Sequence, residues 1–384
     1  MPINFKPNYQ ITPQIAQDLM RIQAAKEKVS HLPLTPAVLH SLRETARLYT
    51  THYSTMIEGN KLDPAQIAAV IHEDSHFPGR QRDEDEVKSY YAALNKVEAW
   101  VAAKTKITES MIQELHALVM AHGKEKVAPT QYRDGQNVIR DGMTGAIVYM
   151  PPEACDVPVL MQAMVAWLNS QHEIPCPIIA GIIHYQFATI HPYYDGNGRT
   201  ARLLTTLILH LGGFDLKGLY SLEEYYAQNL SGYYQALSIG DSHNYYMGRE
   251  QADITKWVEY FVTGMAVSFE NVCKRMEQES QFPDQAELMK MLDARQRKTL
   301  GLFVKTFVIT SQQVGKLFNF KQRTASKMCA EWVASGFLEI ADSSNKSRSY
   351  KLASKYELLT IKAPRGKLAS KYKILIISKN INNK

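Results

Sequence analysis

Twelve residues near the middle of the chain constrain it most: His191-Pro192-Tyr193-Tyr194-Asp195-Gly196-Asn197-Gly198-Arg199-Thr200-Ala201-Arg202. An apolar stretch from about Ile178 to Ile190 runs into this segment. A second begins near Asn197, with Leu203, Leu204, Leu207, Ile208 and Leu211 recurring at helical spacing. Two such helices must bury most of their surface against neighbours, so the polar link between them is held rigidly inside a helical body. The chain has 384 residues, 45% of them apolar, which is enough for two to three domains with cores of their own.

The remainder reads as mainly α. Leu39, Leu42, Ala46 and Tyr49 predict an amphipathic helix from about Pro36 to Ile57, stopped at Glu58-Gly59-Asn60. Asp63-Pro64-Ala65-Gln66 has an N-cap, a first-turn proline and a capping-box glutamine, so another helix starts there. His76 to Asp85 reads as loop. Further helices are predicted over Glu86–Ala103, Thr108–Ala121, Val157–Asn169, Leu222–Ile239 and Ile254–Glu279. Asn137–Arg140 and Ala146–Tyr149 are β-prone runs around the turn chemistry of Asp141-Gly142-Met143-Thr144-Gly145, which predicts a hairpin.

Charge divides the chain. From Asp284 onward there are 20 Lys and Arg against 7 Asp and Glu, a balance of +13, while the first 283 residues balance at −7. An acidic body thus carries a basic end that suits an anionic partner or serves only solubility. After a linker at Phe282-Pro283-Asp284, that end reads as helix, helix, turn, helix, hairpin. Thr310–Leu317 and Lys321–Ser335 are its paired helices, and Phe337–Ile340 and Ser349–Leu352 its strands. This is a winged helix-turn-helix pattern, with Lys321, Arg323 and Lys327 on the second helix and Lys346 and Arg348 on the wing. KLASKY occurs at 351–356 and again at 367–372, too few copies for a repeat fold.

Several classes are excluded by pattern. The N-terminus has no apolar signal core, and no window reaches the 18 apolar residues of a membrane span. The four cysteines lie far apart without a CxxC pair, and no HExxH occurs, which fits a cytoplasmic protein better than a disulfide scaffold or zinc enzyme.

Chemistry concentrates in the link. Gly196 and Gly198 let the backbone turn tightly and approach a ligand. The helix starting near Asn197 aims its free N–H groups and dipole at the link, a ready anion site. Arg199 and Arg202, three apart, share a helix face and can reach one anion. Asp195 is a hard oxygen ligand suited to Mg²⁺ bridging phosphates. His191 is the group with a side-chain pKa near neutrality, as a general base requires. Together these residues describe phosphoryl or nucleotidyl transfer.

At these positions the sequence resembles the Fic family, whose signature HPFx[D/E]GNGRxxR stands here as HPYYDGNGRTAR, Tyr193 replacing Phe. The resemblance covers about Thr35 to Glu279 and implies a helical core with a β-hairpin flap. It also implies a protein adenylyltransferase moving AMP from ATP to a Tyr, Thr or Ser hydroxyl of a target protein, itself included. His191 would deprotonate that hydroxyl, and Asp195 would hold Mg²⁺ across the α- and β-phosphates. Gly196, Asn197 and Gly198 would hold the phosphates, with Arg199 and Arg202 toward the β/γ end.

The hairpin, with Ile147, Val148 and Tyr149, would align a target by strand addition. Tyr226 and Asn229, in a segment that resembles the family's nucleoside-side helix, would contact adenosine, although core packing accounts for the tyrosines equally well. Ser54-Thr55-Met56-Ile57-Glu58-Gly59 matches the inhibitory motif [S/T]xxxE[G/N], so Glu58 would compete with the terminal phosphate for Arg202. In some relatives the same glutamate positions a water that removes AMP. Another nucleotide donor, an ATP-sensing DNA-binding regulator, protein docking through the basic end and a homodimer all remain open. The expected organisation is an N-terminal helical region over residues 1–104, with the inhibitory helix at about 36–60. A catalytic core at 105–280, a winged-helix-like domain at 285–362 and a basic tail at 363–384 follow it.

Overall fold

A computed structural model describes residues 4–30, 36–122, 127–140, 144–240, 243–280, 288, 291–303, 306, 308–342 and 348–357. The linker at Phe282–Asp284, the turn at Asp141–Met143, Lys346, the second KLASKY and the tail lie outside them. The chain divides into two compact units, residues 1–32 with 39–276 and residues 33–38 with 277–384.

The first unit is helical. Its elements are α1 (Pro13–Ser30), α2 (Pro36–Ile57), α3 (Pro64–Glu73), α4 (Gln81–Ala102), α5 (Glu109–Val119), β1 (Ile139–Arg140), β2 (Ile147–Tyr149), α6 (Val157–Ser170), α7 (Cys176–Ile190), α8 (Asn197–Leu211), α9 (Leu222–Gln228), α10 (Leu230–Leu237) and α11 (Thr255–Ser280). α7 is buried almost all round and packs along α8. α4 and α5 cover α8, and α6 covers α7. α11 closes on α7 at Gly181, whose carbonyl accepts from Trp257 Nε1 at 2.7 Å. A Cβ at that glycine would stand 2.9 Å from the Phe261 ring, so the close approach needs glycine. α1 docks on α11 through polar groups: Thr263 Oγ1 donates to the buried Asp18 at 2.6 Å, and Arg21 forks onto Glu270 with two 2.8 Å bonds.

Local chemistry explains the helix ends. Asp63 caps α3 with the full capping box: Gln66 N–H donates to Asp63 Oδ1 at 2.8 Å and Asp63 N–H to Gln66 Oε1 at 3.0 Å. Two expectations change. α4 begins at Gln81, inside the stretch read as loop, because Asp83 and Glu84 favour a first helical turn and the buried Glu84 accepts from Phe77 N–H at 2.6 Å. The helix expected over Leu222–Ile239 breaks at Asn229 (φ −140, ψ 70), whose Oδ1 accepts from Gly232 N–H at 3.0 Å and so caps α10. An asparagine's preference for capping outweighs its place in a helical pattern.

The second unit contains α12 (Ala294–Phe303), β3 (Ile309–Thr310), α13 (Ser311–Phe318), α14 (Gln322–Ala334), β4 (Leu338–Asp342), β5 (Ser349–Leu352) and α15 (Ser354–Glu357). Its antiparallel sheet has the order β3-β5-β4, so a short strand before α13 joins the expected hairpin. Leu300, Ile309, Val314, Cys329, Trp332 and Phe337 are among the residues of its own core. At Gly315 a Cβ would meet Ala325 Cβ at 3.4 Å and Phe320 O at 3.1 Å, which is how tightly α13 crosses α14.

Candidate functional site

The polar link leaves α7 through a strained residue. His191 is the C-cap of α7 with φ 51 and ψ 60, a left-handed conformation that costs a non-glycine residue free energy and that the surroundings must enforce. Its N–H donates to Phe187 O at 3.0 Å. Nδ1 lies 3.3 Å from Ala188 O, so it carries the proton and leaves Nε2 as the basic nitrogen. Burial lowers the imidazole pKa to about 4.

The rest of the link closes on itself. Asn197 Oδ1 accepts from Tyr193 N–H at 3.0 Å and its Nδ2 donates to Tyr193 O at 2.7 Å, so this side chain builds the loop and does not face a ligand. Gly196, at φ +75, starts α8. The first intrahelical bond there is Thr200 N–H to Gly196 O at 3.0 Å, which leaves the N–H groups of Asn197, Gly198 and Arg199 ahead of the ladder. Asp195 points outward with its side chain 59% exposed. Its Oδ1 accepts from Gly196 N–H at 2.6 Å, and Oδ2 has no partner among the described residues.

Arg202 is 2% exposed and fully engaged with α2. Its Nε donates to Ser54 Oγ at 2.8 Å, while Nη2 donates to Ser54 O at 2.9 Å and to Glu58 Oε1 at 2.8 Å. Burial by itself would lower the guanidinium pKa, but the Glu58 carboxylate, helped by the Tyr233 and Tyr90 hydroxyls, holds it above the usual arginine value. The Glu58 carboxylate also lies against Gly198, where a Cβ would collide with Oε1 and stand 3.2 Å from Arg202 Nη1. An anion from this chain therefore occupies the space in front of the α8 N-terminus. Gly59, at φ +94, ends the turn after α2. Arg199 is buried too but loosely held: Nη2 is 3.4 Å from Asp195 Oδ1, Nη1 is 3.7 Å from Glu86 Oε1, and the buried Nε has no partner among the described residues.

The hairpin sits beside the link. Asn137 Nδ2 donates to Tyr193 O at 3.0 Å. Ile147 and Val148 are exposed, whereas Tyr149 is buried and its hydroxyl donates to Thr189 O at 2.9 Å. Tyr149 is thus an anchor and not a docking surface. β2's outer edge is partly taken: His243 Nδ1 donates to Val148 O at 2.9 Å, Met150 N–H to His243 O at 2.7 Å, and Tyr245 N–H to Met150 O at 3.1 Å. β1 has no strand neighbour other than β2 among the described residues.

Two nucleoside-side expectations change. Tyr226 is 1% exposed and stacks on Tyr233 with centroids 4.6 Å apart. Tyr233 donates to His184 Nε2 at 2.9 Å, and His184 Nδ1 donates to Thr205 Oγ1 at 2.9 Å. These rings form the core behind Arg202, because one break in the helix turns them inward. Asn229 caps α10. Tyr234, 47% exposed and 3.5 Å from Ile57 O through its hydroxyl, is the tyrosine that reaches the α2 end.

Residues the sequence did not single out hold the link in place. The buried Arg133 donates from Nε to His191 O at 3.0 Å and from Nη1 to Gly135 O at 3.1 Å, and it also holds Pro152 O. Arg133 N–H donates to Pro192 O at 2.9 Å. His116 Nε2 donates to Asp195 O at 2.9 Å and its ring stacks on Tyr193 at 3.6 Å. Burial lowers its pKa to about 4. Both side chains act across 58 or more residues of sequence, so no local pattern marks them.

Chemically, the site combines a neutral imidazole with a free ring nitrogen, an outward carboxylate, unpaired helix-start amides and two buried guanidiniums. No group of three or more metal-ligating side chains occurs among the described residues. A Mg²⁺ ion would be held by Asp195 alone together with substrate phosphates, which is a normal way for that ion to bind.

Comparison with known proteins agrees with this arrangement. Residues 106–209 match the Fic/DOC family model. Among curated relatives, the protein adenylyltransferase Fic of Drosophila erecta is 29% identical over 215 residues, covering 54% of this chain and 42% of that protein. That of Drosophila virilis is 29% identical over 199 residues, covering 51% and 39%. The chain thus spans about two-fifths of the length of these relatives. Among solved structures, a Fic family protein from Desulfovibrio desulfuricans G20 is 23% identical with a TM-score of 0.64, covering 94% of this chain and 100% of that one. Fic-1 of C. elegans is 23% identical with a TM-score of 0.54, covering 69% and 73%. Built around a left-handed histidine and the amide-lined start of α8, and matched by family model, relatives and fold alike, residues 106–209 of this chain are a Fic domain.

Proposed function

We propose that this chain is a protein adenylyltransferase whose Glu58 restrains it. His191 Nε2 accepts the proton of a target Tyr, Thr or Ser hydroxyl. That oxygen forms a bond to the α-phosphorus of ATP as the bond to pyrophosphate breaks, and pyrophosphate departs with the electron pair. The amides of Asn197, Gly198 and Arg199 hold the phosphates, and the two arginines balance the charge that develops on the leaving side. Mg²⁺ at Asp195 would supply charge neutralisation across the phosphates. Ile147 and Val148 form the docking face of the flap, with β1 offering the freer edge. A cytoplasmic site of action suits cysteines that form no disulfide among the described residues.

One observation carries the reading: Glu58 and Arg202, 2.8 Å apart, put a carboxylate of this chain into the anion hole itself. The hole is built for negative charge, and its own chain fills it. Removing one partner of a pair like this costs on the order of 3–5 kcal/mol unless another anion takes its place, and a terminal phosphate can. Glu58→Gly should raise transfer of α-phosphate label from ATP to protein by about 10–100-fold, the equivalent of about 1.4–2.8 kcal/mol in barrier. His191→Ala in that background should abolish it. Label that survives His191→Ala, or a +AMP mass absent from the Glu58→Gly protein and from extract proteins incubated with it, removes the proposal. Net loss of label from pre-modified target would instead assign removal of AMP, and label from UTP another donor.

A second partner is favoured by one feature of the basic unit. Gln322 Nε2 donates to Ser311 Oγ at 2.8 Å, so the N-termini of α13 and α14 meet, with Lys321, Arg323 and Lys327 exposed beside them. Two positive helix ends with three cations suit the phosphates of duplex DNA in the manner of a winged helix.

A further inference from the structure

Besides Glu58, a second carboxylate from outside the link stands beside its arginines. Glu86 lies on α4, and its side chain is 11% exposed. Oε2 accepts from Asn60 Nδ2 at 3.2 Å, and Oε1 lies 3.7 Å from Arg199 Nη1. Asn60 belongs to the turn that ends α2, two residues beyond Glu58. That turn is clamped: Asn60 Nδ2 also donates to Asp83 O at 2.9 Å, its Oδ1 accepts from Leu62 N–H at 3.1 Å, and its own N–H donates to Thr55 O at 3.1 Å. Asn60 is buried, so these bonds have little competition from water.

We propose that Glu86 is a positioning residue that latches the turn after Glu58 through Asn60 and draws the charge of Arg199 away from the anion hole. The inference rests on the adenylyltransferase reading and extends it. A carboxylate from outside the link faces each of its arginines: Glu58 holds Arg202, and Glu86 stands 3.7 Å from Arg199, which also has Asp195 of the link itself at 3.4 Å. The looseness of Arg199 identifies the part of Glu86 that changes when nucleotide arrives. A buried guanidinium whose Nε has no partner, and whose nearest carboxylate oxygen is 3.4 Å away, among the described residues has donors to spare for an incoming phosphate. When Arg199 turns to phosphate, Glu86 loses one of its two cations and keeps Asn60 and the exposed Arg82, whose Nε lies 3.5 Å from Oε1. The latch and the nucleotide are thereby coupled through one side chain, a coupling that a mutant cycle measures directly.

The test uses the full chain with Asn60→Ala and Glu86→Gln, each made alone and with Glu58→Gly. Kd for ATP is read by calorimetry, and kcat and KM by auto-modification. Asn60→Ala should raise auto-modification about 3–10-fold in the protein that keeps Glu58 and change it less than about 1.5-fold when Glu58 is already glycine, since nothing then remains to latch. Glu86→Gln with Glu58→Gly should lower KM and Kd for ATP by about 2–5-fold with kcat held within about twofold, a split that general damage to the fold does not produce.

An equal effect of Asn60→Ala in both backgrounds, or a Glu86→Gln protein whose KM and Kd stay the same or rise, overturns the proposal. If Asn60→Ala melts well below the parent, Glu86→Gln, which preserves shape, decides alone. Failure of Glu58→Gly to transfer AMP would defeat the adenylyltransferase reading separately. The Kd values would still report on Glu86, and absence of ATP binding in every variant would overturn both.

Discussion

At the scale of single residues, burial moves the titration of the histidines in and beside the link away from that of an imidazole in water. His191 is the clearest case. Burial depresses its pKa to about 4, so the imidazole is neutral with Nε2 unprotonated throughout the physiological range. The sign for activity follows. The form that accepts a proton is full above pH 5 and is lost as pH falls through about 4. In the Glu58→Gly protein, the His191-dependent limb of kcat/KM should stay flat from pH 8 to 5 and drop tenfold per unit below pH 4. A limb that bends near 6.5, the value of a free histidine, would show that the ring is solvated when it reacts. Sequence alone named His191 as the base from its residue type and neighbours. It gave no hint of the left-handed backbone that aims the ring, because that conformation is enforced by Arg133 on the His191 carbonyl from 58 residues away.

At the scale of elements, helix ends carry most of the chemistry. α8 starts at the link, α2 ends against it, and α7 ends in His191, the proposed base. Such ends have short local signatures, which is why Asp63 is legible as a cap from sequence and Thr108 and Thr310, which cap their helices in the structure, mark helix starts there. Asn229 shows the limit. Its side chain caps the next helix where the pattern would continue the first, and the break goes with the burial of Tyr226 and Tyr233. The meeting of the α13 and α14 N-termini carries its own test. The full chain should bind a duplex of about 30 base pairs in fluorescence anisotropy, with affinity falling steeply between 50 and 200 mM salt. Lys321→Ala, Arg323→Ala and Lys327→Ala should each reduce the salt slope by about one. Binding should survive His191→Ala. Slopes that do not change would leave the basic unit to protein docking.

At the scale of the whole molecule, neutral buried histidines link folding to pH. His116, His191 and His210 are lowered to about 4 and His184 to about 3, each mainly by burial. An unfolded chain takes up these protons near pH 6.5, while the folded chain refuses them until about pH 4. Stability from this source is therefore complete above pH 6.5 and is lost as pH falls through that window. Each such histidine contributes up to about 3 kcal/mol by the bottom of it. The melting temperature should fall continuously between pH 6.5 and 4, and a flat profile from pH 7 to 5 would contradict these burial assignments.

Apart from α1, most of the helices, the Asp63 cap, the amide-lined start of α8 and the pairing of Glu58 with Arg202 were within reach of the amino-acid sequence, since each rests on residue chemistry at fixed short spacing or on a motif that spans one turn. Tertiary structure alone decided that Tyr149 anchors, that Tyr226 faces inward, that the outer edge of β2 is partly taken and that Glu86 meets both Asn60 and Arg199. Those outcomes depend on which surfaces face each other after packing. Long-range juxtaposition is a property of the whole folded chain and has no period that a local stretch of sequence can display.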